Sequence, residues 1–185
     1  MSYLIKNNAN RCRALRLASL LSGMAIGLCW TATAHAANEL FLTWPGIVGP
    51  SNVAGHLGDI DLLSYSQNAS NVGGKSVCGE ITVTKRIDNT SPIFLGMVLS
   101  GKATAGPVTV TFAKTPQDTT FYSVRLTEVI PTSITQADST GPDKLTETIV
   151  FSAVRFEFTF TPQSASGGPG TPVRFTWDCR INRGG

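Results

Sequence analysis

The chain has 185 residues, and its 15 Lys and Arg against 12 Asp and Glu give a formal charge of +3. The excess lies in the first 36 residues, which hold Lys6, Arg11, Arg13 and Arg16 and no acid, leaving eleven basic against twelve acidic residues, or 11 − 12 = −1, in residues 37–185. Without that leader, composition gives no case for nucleic acid or an anionic membrane surface as a partner.

Residues 1–36 read as a secretory signal peptide. A basic start is followed by an uncharged apolar run over residues 17–30, and Ala34-His35-Ala36 satisfies the small-x-small rule for cleavage between Ala36 and Ala37. The run falls short of the roughly 20 residues needed to cross a bilayer, and no later segment approaches that length, so no membrane span is expected. Leu28 before Cys29 does not fit a lipoprotein signal, and Cys12 separates Arg11 from Arg13, so no twin-arginine pair is formed. Residues 37–185 are then one domain, secreted or periplasmic.

In chain order, residues 39–44 form a first strand around Leu40, Phe41 and Leu42, ended by Pro45-Gly46. Residues 48–58 have a loop composition and carry His56. Residues 59–66 resume as a strand, with Ile60, Leu62 and Ser64 on one face and Asp61, Leu63 and Tyr65 on the other. Residues 67–75 are polar, end in Gly73-Gly74 and read as a second loop. Ile81 and Val83 then alternate with Thr82 and Thr84 as a half-buried strand.

One helix is expected. Ser91 is a suitable N-cap, Pro92 suits the first helical position, and Gly101 stands where the helix ends. Between them Ile93, Phe94, Leu95, Met97, Val98 and Leu99 leave no polar face, so the helix should be buried. One sheet face cannot be relied on to cover all six, which makes Pro92, Ile93, Phe94, Met97 and Val98 candidates for contact with another subunit.

Residues 108–112 are an amphipathic strand, residues 116–119 a turn and residues 122–130 a strand; residues 131–144 are polar and read as a loop. Residues 145–161 are the longest strand expected, with Val150, Val154, Phe156, Phe158 and Phe160 on one parity and Glu147, Arg155 and Glu157 on the other. A glycine-rich connection leads to the last strand, where Val173, Phe175, Trp177 and Ile181 alternate with Arg174, Asp178 and Arg180. Seven or eight strands and one short helix point to a mainly β, antiparallel barrel or sandwich.

Cys78 and Cys179 are the two cysteines outside the leader. In an oxidising compartment the natural reading is a disulfide, the alternative two buried thiols. Parity opposes the bond, because Cys78 shares a face with Thr82 and Thr84; a bulge at Gly79 would re-aim it.

Chemistry is sparse. His56 is the one histidine after the leader, the cysteines lack ligand spacing, and no Gly-x-Ser-x-Gly elbow is present. No metal, cofactor or catalytic set is expected, and His56 reads as a solvated loop residue. Asp59 and Asp61 share a strand face but fit a solvent-facing edge better than an acid/base pair.

Several segments resemble the haemolysin-coregulated protein (Hcp) family, the tube protein of type VI secretion systems. Glu39-Leu-Phe-Leu with Pro45-Gly46-Ile47-Val48-Gly49 is similar to its opening strand and "GIxG" turn, and residues 60–66 resemble "IDVLSWS". Thr84-Lys85-Arg86-Ile87-Asp88 with Ser91-Pro92 resembles "TKxxDxxSP". Residues 147–163 resemble "ETVxxxFxxxxxxYxPQ", and Trp177-Asp178 through Asn182 resembles "GWDxxxN".

The resemblance implies a β-barrel of two sheets with one helix alongside and subunits closing head-to-tail into hexameric rings. It implies rings stacked into a tube, with spike, sheath and effector proteins as partners, in a Gram-negative bacterium. The leader and cysteine pair depart from a family whose tube assembles in the cytoplasm. An exported Hcp-like component that kept the ring is one expectation; the other is an exported β-barrel domain, monomeric or oligomeric, that binds a ligand or surface partner.

Overall fold

The computed structural model describes residues 37–115, 119–138, 145–164 and 167–185. The expected leader and Ala36, the turn at residues 116–118 and the loop at residues 139–144 lie outside the described residues. Ala37 opens the first strand.

Among the described residues there are eleven strands and one helix. The strands are β1 (Ala37–Thr43), β2 (Ile60–Leu62), β3 (Ser64–Val72), β4 (Lys75–Arg86), β5 (Val108–Thr115), β6 (Thr119–Thr127), β7 (Ile130–Ala137), β8 (Thr146–Ser152), β9 (Arg155–Phe160), β10 (Val173–Asp178) and β11 (Arg183–Gly184); α1 spans Ser91–Ser100. They form two antiparallel sheets, ordered β11-β10-β9-β6-β5-β1-β2 and β3-β4-β8-β7. The expected two-sheet, mainly β architecture with one helix is what forms, but the two sheets are not closed into one hydrogen-bonded barrel.

The strand count exceeds seven or eight because three continuous apolar patterns each divide between sheets and the two-residue β11 pairs with β10 at the end. The chain crosses at Leu63 between β2 and β3, at Glu128-Val129 between β6 and β7, and at Ala153-Val154 between β8 and β9. Each crossing also moves the inward-facing residues out of step. Leu62 gives way to Tyr65, Leu126 to Val129, and Phe151 to Phe156 as the residues packed in or against the core. The shift keeps apolar side chains inward when the chain joins the facing sheet. Glu147, Ile149 and Phe151 are therefore the buried row of β8, and the expected outward placing of Glu147 is corrected.

Two expected loops are strands. Residues 67–72 continue β3, and a two-residue turn with Gly73 at φ 60° and Gly74 at φ 84° closes Val72 onto Lys75. Two left-handed residues suit a tight hairpin, and glycine adopts them without a Cβ clash. Residues 131–137 belong to β7, an edge strand, where Pro131 is tolerated beside a register shift. Gln67, Asn68, Ser70 and Asn71, like Thr132, Ser133, Thr135 and Gln136, offer no apolar alternation to announce a strand.

The core lies between the sheets, around Leu42, Trp44, Ile81, Val124, Leu126 and Phe151. Trp44 meets Phe94 and Phe151 edge-on, with ring centres 5.1 and 5.6 Å apart.

One row of this interior is polar. Lys85 extends the buried row Ile81-Val83-Lys85 of β4 and is fully buried. Its register partner on β8 is Glu147, whose own partner on β7 is Gln136. Lys85 Nζ lies 2.9 Å from Glu147 Oε1 and 2.9 Å from Asp88 Oδ1, and donates to the Arg86 carbonyl at 2.8 Å. Ser91 Oγ donates to Glu147 Oε1 at 2.8 Å and accepts the Asp88 N–H at 3.0 Å; Gln136 Nε2 donates to Glu147 Oε2 at 3.0 Å.

This network fixes where α1 begins. Thr90, not Ser91, is the N-cap, and Ser91 spends its hydroxyl on Glu147 instead of on the helix N–H groups. Asp88 Oδ1 accepts both the N–H and the hydroxyl of Thr90 at 2.7 Å. At the other end Gly101, at φ 59°, donates to the Val98 carbonyl and Lys102 to the Met97 carbonyl, closing the helix in a Schellman turn.

Lys85→Met should destabilise the domain by about 3–5 kcal/mol, because it strands two carboxylates in or beside the core. Glu147→Gln should cost less, since Asp88 still faces the lysine. Urea unfolding of both variants checks this; a Lys85→Met midpoint equal to the parent's would contradict it.

Candidate assembly surface

Helix α1 packs on β7. Phe94 enters the core and is fully buried, but Ile93 is 45% exposed, Leu95 39% and Leu99 79%. Met97 and Val98 are half-buried and Pro92 is exposed. The expectation of a buried helix is thus corrected: a cylinder apolar on all sides cannot be covered from one side. Of the candidates Pro92, Ile93, Phe94, Met97 and Val98, Phe94 points inward, while the others, with Leu95 and Leu99, lie wholly or partly at the surface. No charged residue occurs in Ser91–Ser100, so the exposed surface is apolar and uncharged.

A second apolar surface is concave. A groove of about 360 Å³ runs between the β3–β4 hairpin and strands β9 and β10. Val77 and Cys78 line one wall, Phe156, Phe158, Phe175 and Trp177 the other. Their rings form a stacked ladder, with centroids 6.1 Å apart for Phe156–Phe158, 6.3 Å for Phe158–Phe175 and 6.1 Å for Phe175–Trp177. Trp177 Nε1 is buried without a hydrogen-bond acceptor among the described residues. The alternation of β10 was legible; the groove was not, because its other wall is the polar hairpin read as a loop. The Gly73-Gly74 pair was the available signal.

Cys78 and Cys179 meet at this groove, sulfur to sulfur, with Cα atoms 6.2 Å apart. The parity conflict is resolved by a bulge: Gln67 faces Ile81 and Ala69 faces Cys78, so Gly79 and Glu80 together oppose Asn68. A Cβ at Gly79 would fall 2.5 Å from the Asn68 carbonyl oxygen, so the bulge needs glycine there. The extra residue returns Cys78 to the inward side, where it packs with Cys179 against the core.

His56 is not solvated. It is buried, stacks on Phe41 at 3.8 Å with planes 7° apart, and places Nδ1 2.9 Å from Asp59 Oδ2. Its ring holds the loop at residues 48–59 against β1. Asp61 is exposed while Asp59 engages His56, so the two carboxylates have separate settings. Among the described residues no cluster of three or more His, Cys, Asp or Glu has metal-binding geometry. No helix there is long and apolar enough to cross a membrane.

The titration pattern is structural. Burial, and secondarily Tyr122, pushes the Tyr65 phenol well above its ordinary range, and its hydroxyl donates to Gln67 Oε1 at 2.6 Å. Burial also raises Tyr122. The hydrogen bond from Arg155 Nε, at 2.6 Å, holds the Asp178 carboxyl below its usual range and keeps β10 tied to β9.

The family described as "Type VI secretion system effector, Hcp" matches residues 41–160. "Protein hcp1" of Pseudomonas aeruginosa is 28% identical over 158 residues, covering 79% of this chain and 98% of that protein. Among solved structures, one described as a type six secretion system protein superposes with a TM-score of 0.75 at 20% identity, covering 80% of this chain and all of that one. Hcp1 from Salmonella typhimurium gives 0.71 at 21% identity, covering 80% of this chain and 99% of its own. The matched segment is well over half of the sequence and contains the Lys85 network, α1 and the three sheet crossings; the chain belongs to the Hcp family of type VI secretion system effectors.

Proposed function

We propose that this chain is an exported, non-enzymatic Hcp-family component whose subunits join head-to-tail into rings, six to a ring, as a structural or secretion part. The observation that carries the reading is α1, a helix without a charge whose Ile93, Leu95 and Leu99 stand out of the subunit. Soluble monomers seldom leave an uncharged apolar helix exposed to this extent without a partner, and family membership supplies the partner: further copies of the chain.

In this reading the leader at residues 1–36 is removed after Ala36, the domain is residues 37–185, and Cys78 and Cys179 bond once the chain reaches an oxidising compartment. A ring made outside the cytoplasm can serve the periplasm or the cell exterior. Spike, sheath and effector proteins remain its candidate partners to the extent that it meets a type VI apparatus there. A second reading, a binding domain for an apolar ligand or surface partner, is favoured by the aromatic-lined groove of about 360 Å³.

Light scattering of the oxidised, exported protein should return six times the mass of the 37–185 subunit; a monomer at high micromolar concentration would contradict the ring. Thiol titration of the same sample under denaturing conditions should find no free thiol, and N-terminal sequencing should begin at Ala37. Two titratable thiols per chain, or an intact leader, would overturn the export reading.

A further inference from the structure

The two apolar surfaces lie toward opposite edges of the smaller sheet. Its order is β3-β4-β8-β7, with α1 packed on β7 and the groove beside β3 and β4. One is a ridge and the other a trough. A head-to-tail contact between identical subunits requires two different, complementary patches, and closes into a ring when each subunit carries both.

Charge agrees with shape. The helix contains no ionisable side chain, and neither do the groove walls formed by Val77, Cys78, Phe158, Phe175 and Trp177. Seating one in the other therefore buries no charge without a partner, a term that otherwise opposes association. A ten-residue helix is about 15 Å long, too little alone for the roughly 800 Å² per partner of a standard interface. The flanking edge strands β7 and β3 complete the contact.

The disulfide sits where it controls the trough. Cys78 belongs to the β4 wall and Cys179 follows β10, so their bond ties one wall to the other across the two sheets. Closing it oxidises two thiols, releases two protons and passes two electrons to a disulfide-bearing oxidant, which leaves as a dithiol. Resting on the ring reading above, we propose that α1 of one copy seats in the groove between β3–β4 and β9–β10 of the next, and that the Cys78–Cys179 bond makes this contact conditional on oxidation by holding the groove walls together.

The test is site-directed photo-cross-linking of the oxidised protein with p-benzoyl-phenylalanine in place of the exposed Leu99, followed by peptide mass spectrometry. The expected products join position 99 of one copy to Val77, Phe175 or Trp177 of another. Leu99→Glu should weaken association at least about tenfold while leaving the thermal transition in place. Cys78→Ser combined with Cys179→Ser, held folded by circular dichroism at low temperature, should lose association to the same extent.

Oligomers whose cross-links fall elsewhere would overturn the contact and leave the ring standing. Full association of the folded double serine variant would overturn the dependence on oxidation. An oxidised protein that stays monomeric would remove both this contact and the ring.

Discussion

A fully buried lysine is the constraint around which this domain is arranged. Lys85 Nζ stands between the carboxylates of Glu147 and Asp88, each 2.9 Å away, at the start of a helix. Either setting alone disfavours an ammonium: burial removes its hydration, and the positive end of the helix dipole repels it. Two acids, a carbonyl and a serine hydroxyl answer both. They come from β4, the turn before α1, the first turn of α1 and β8, with Gln136 of β7 behind. Five pieces of chain must therefore be in register before the charge is satisfied. A well-packed apolar row could have been at least as stable; the network differs in requiring that these five segments meet at once.

What the arrangement specifies is the seat of the helix. Anchored by Ser91 at one end and stopped by Gly101 at the other, α1 sends Phe94 into the core against Trp44 and turns Leu95 and Leu99 outward. An apolar helix free to roll would bury as many of these side chains as it could. The polar anchor and the single ring inserted beneath Trp44 fix one rotation. In the proposed assembly, the residues that make the helix a poor surface element for a monomer are the ones suited to contact with another copy.

Much of this was legible in the residues. The positions of Ser91-Pro92 and Gly101 bracketed the helix, alternation revealed the apolar strands, and Gly79 was the right place to look for the bulge that aims Cys78. Four things were hidden. Polar strands such as residues 67–72 carry no periodic signal, since neither face joins the core. Sheet crossings at Leu63, Glu128 and Ala153 occur inside unbroken runs of strand-forming residues, so two strands look like one and parity is assigned to the wrong side. Glu147 falls on the polar parity of its run, and nothing in the sequence pairs it with Lys85 until the register β4–β8 makes them neighbours. His56 was hidden similarly, because its partner Phe41 lies on another element.

In the proposed ring, α1 is a surface of the subunit only and becomes interior in the assembly. Amide hydrogen exchange along α1, followed over a range of protein concentrations, tests this most directly. Exchange from residues 93–101 should slow as concentration rises, while the already buried amides of β4 and β8 stay unchanged. Rates along the helix that are the same from the most dilute to the most concentrated sample would contradict the account.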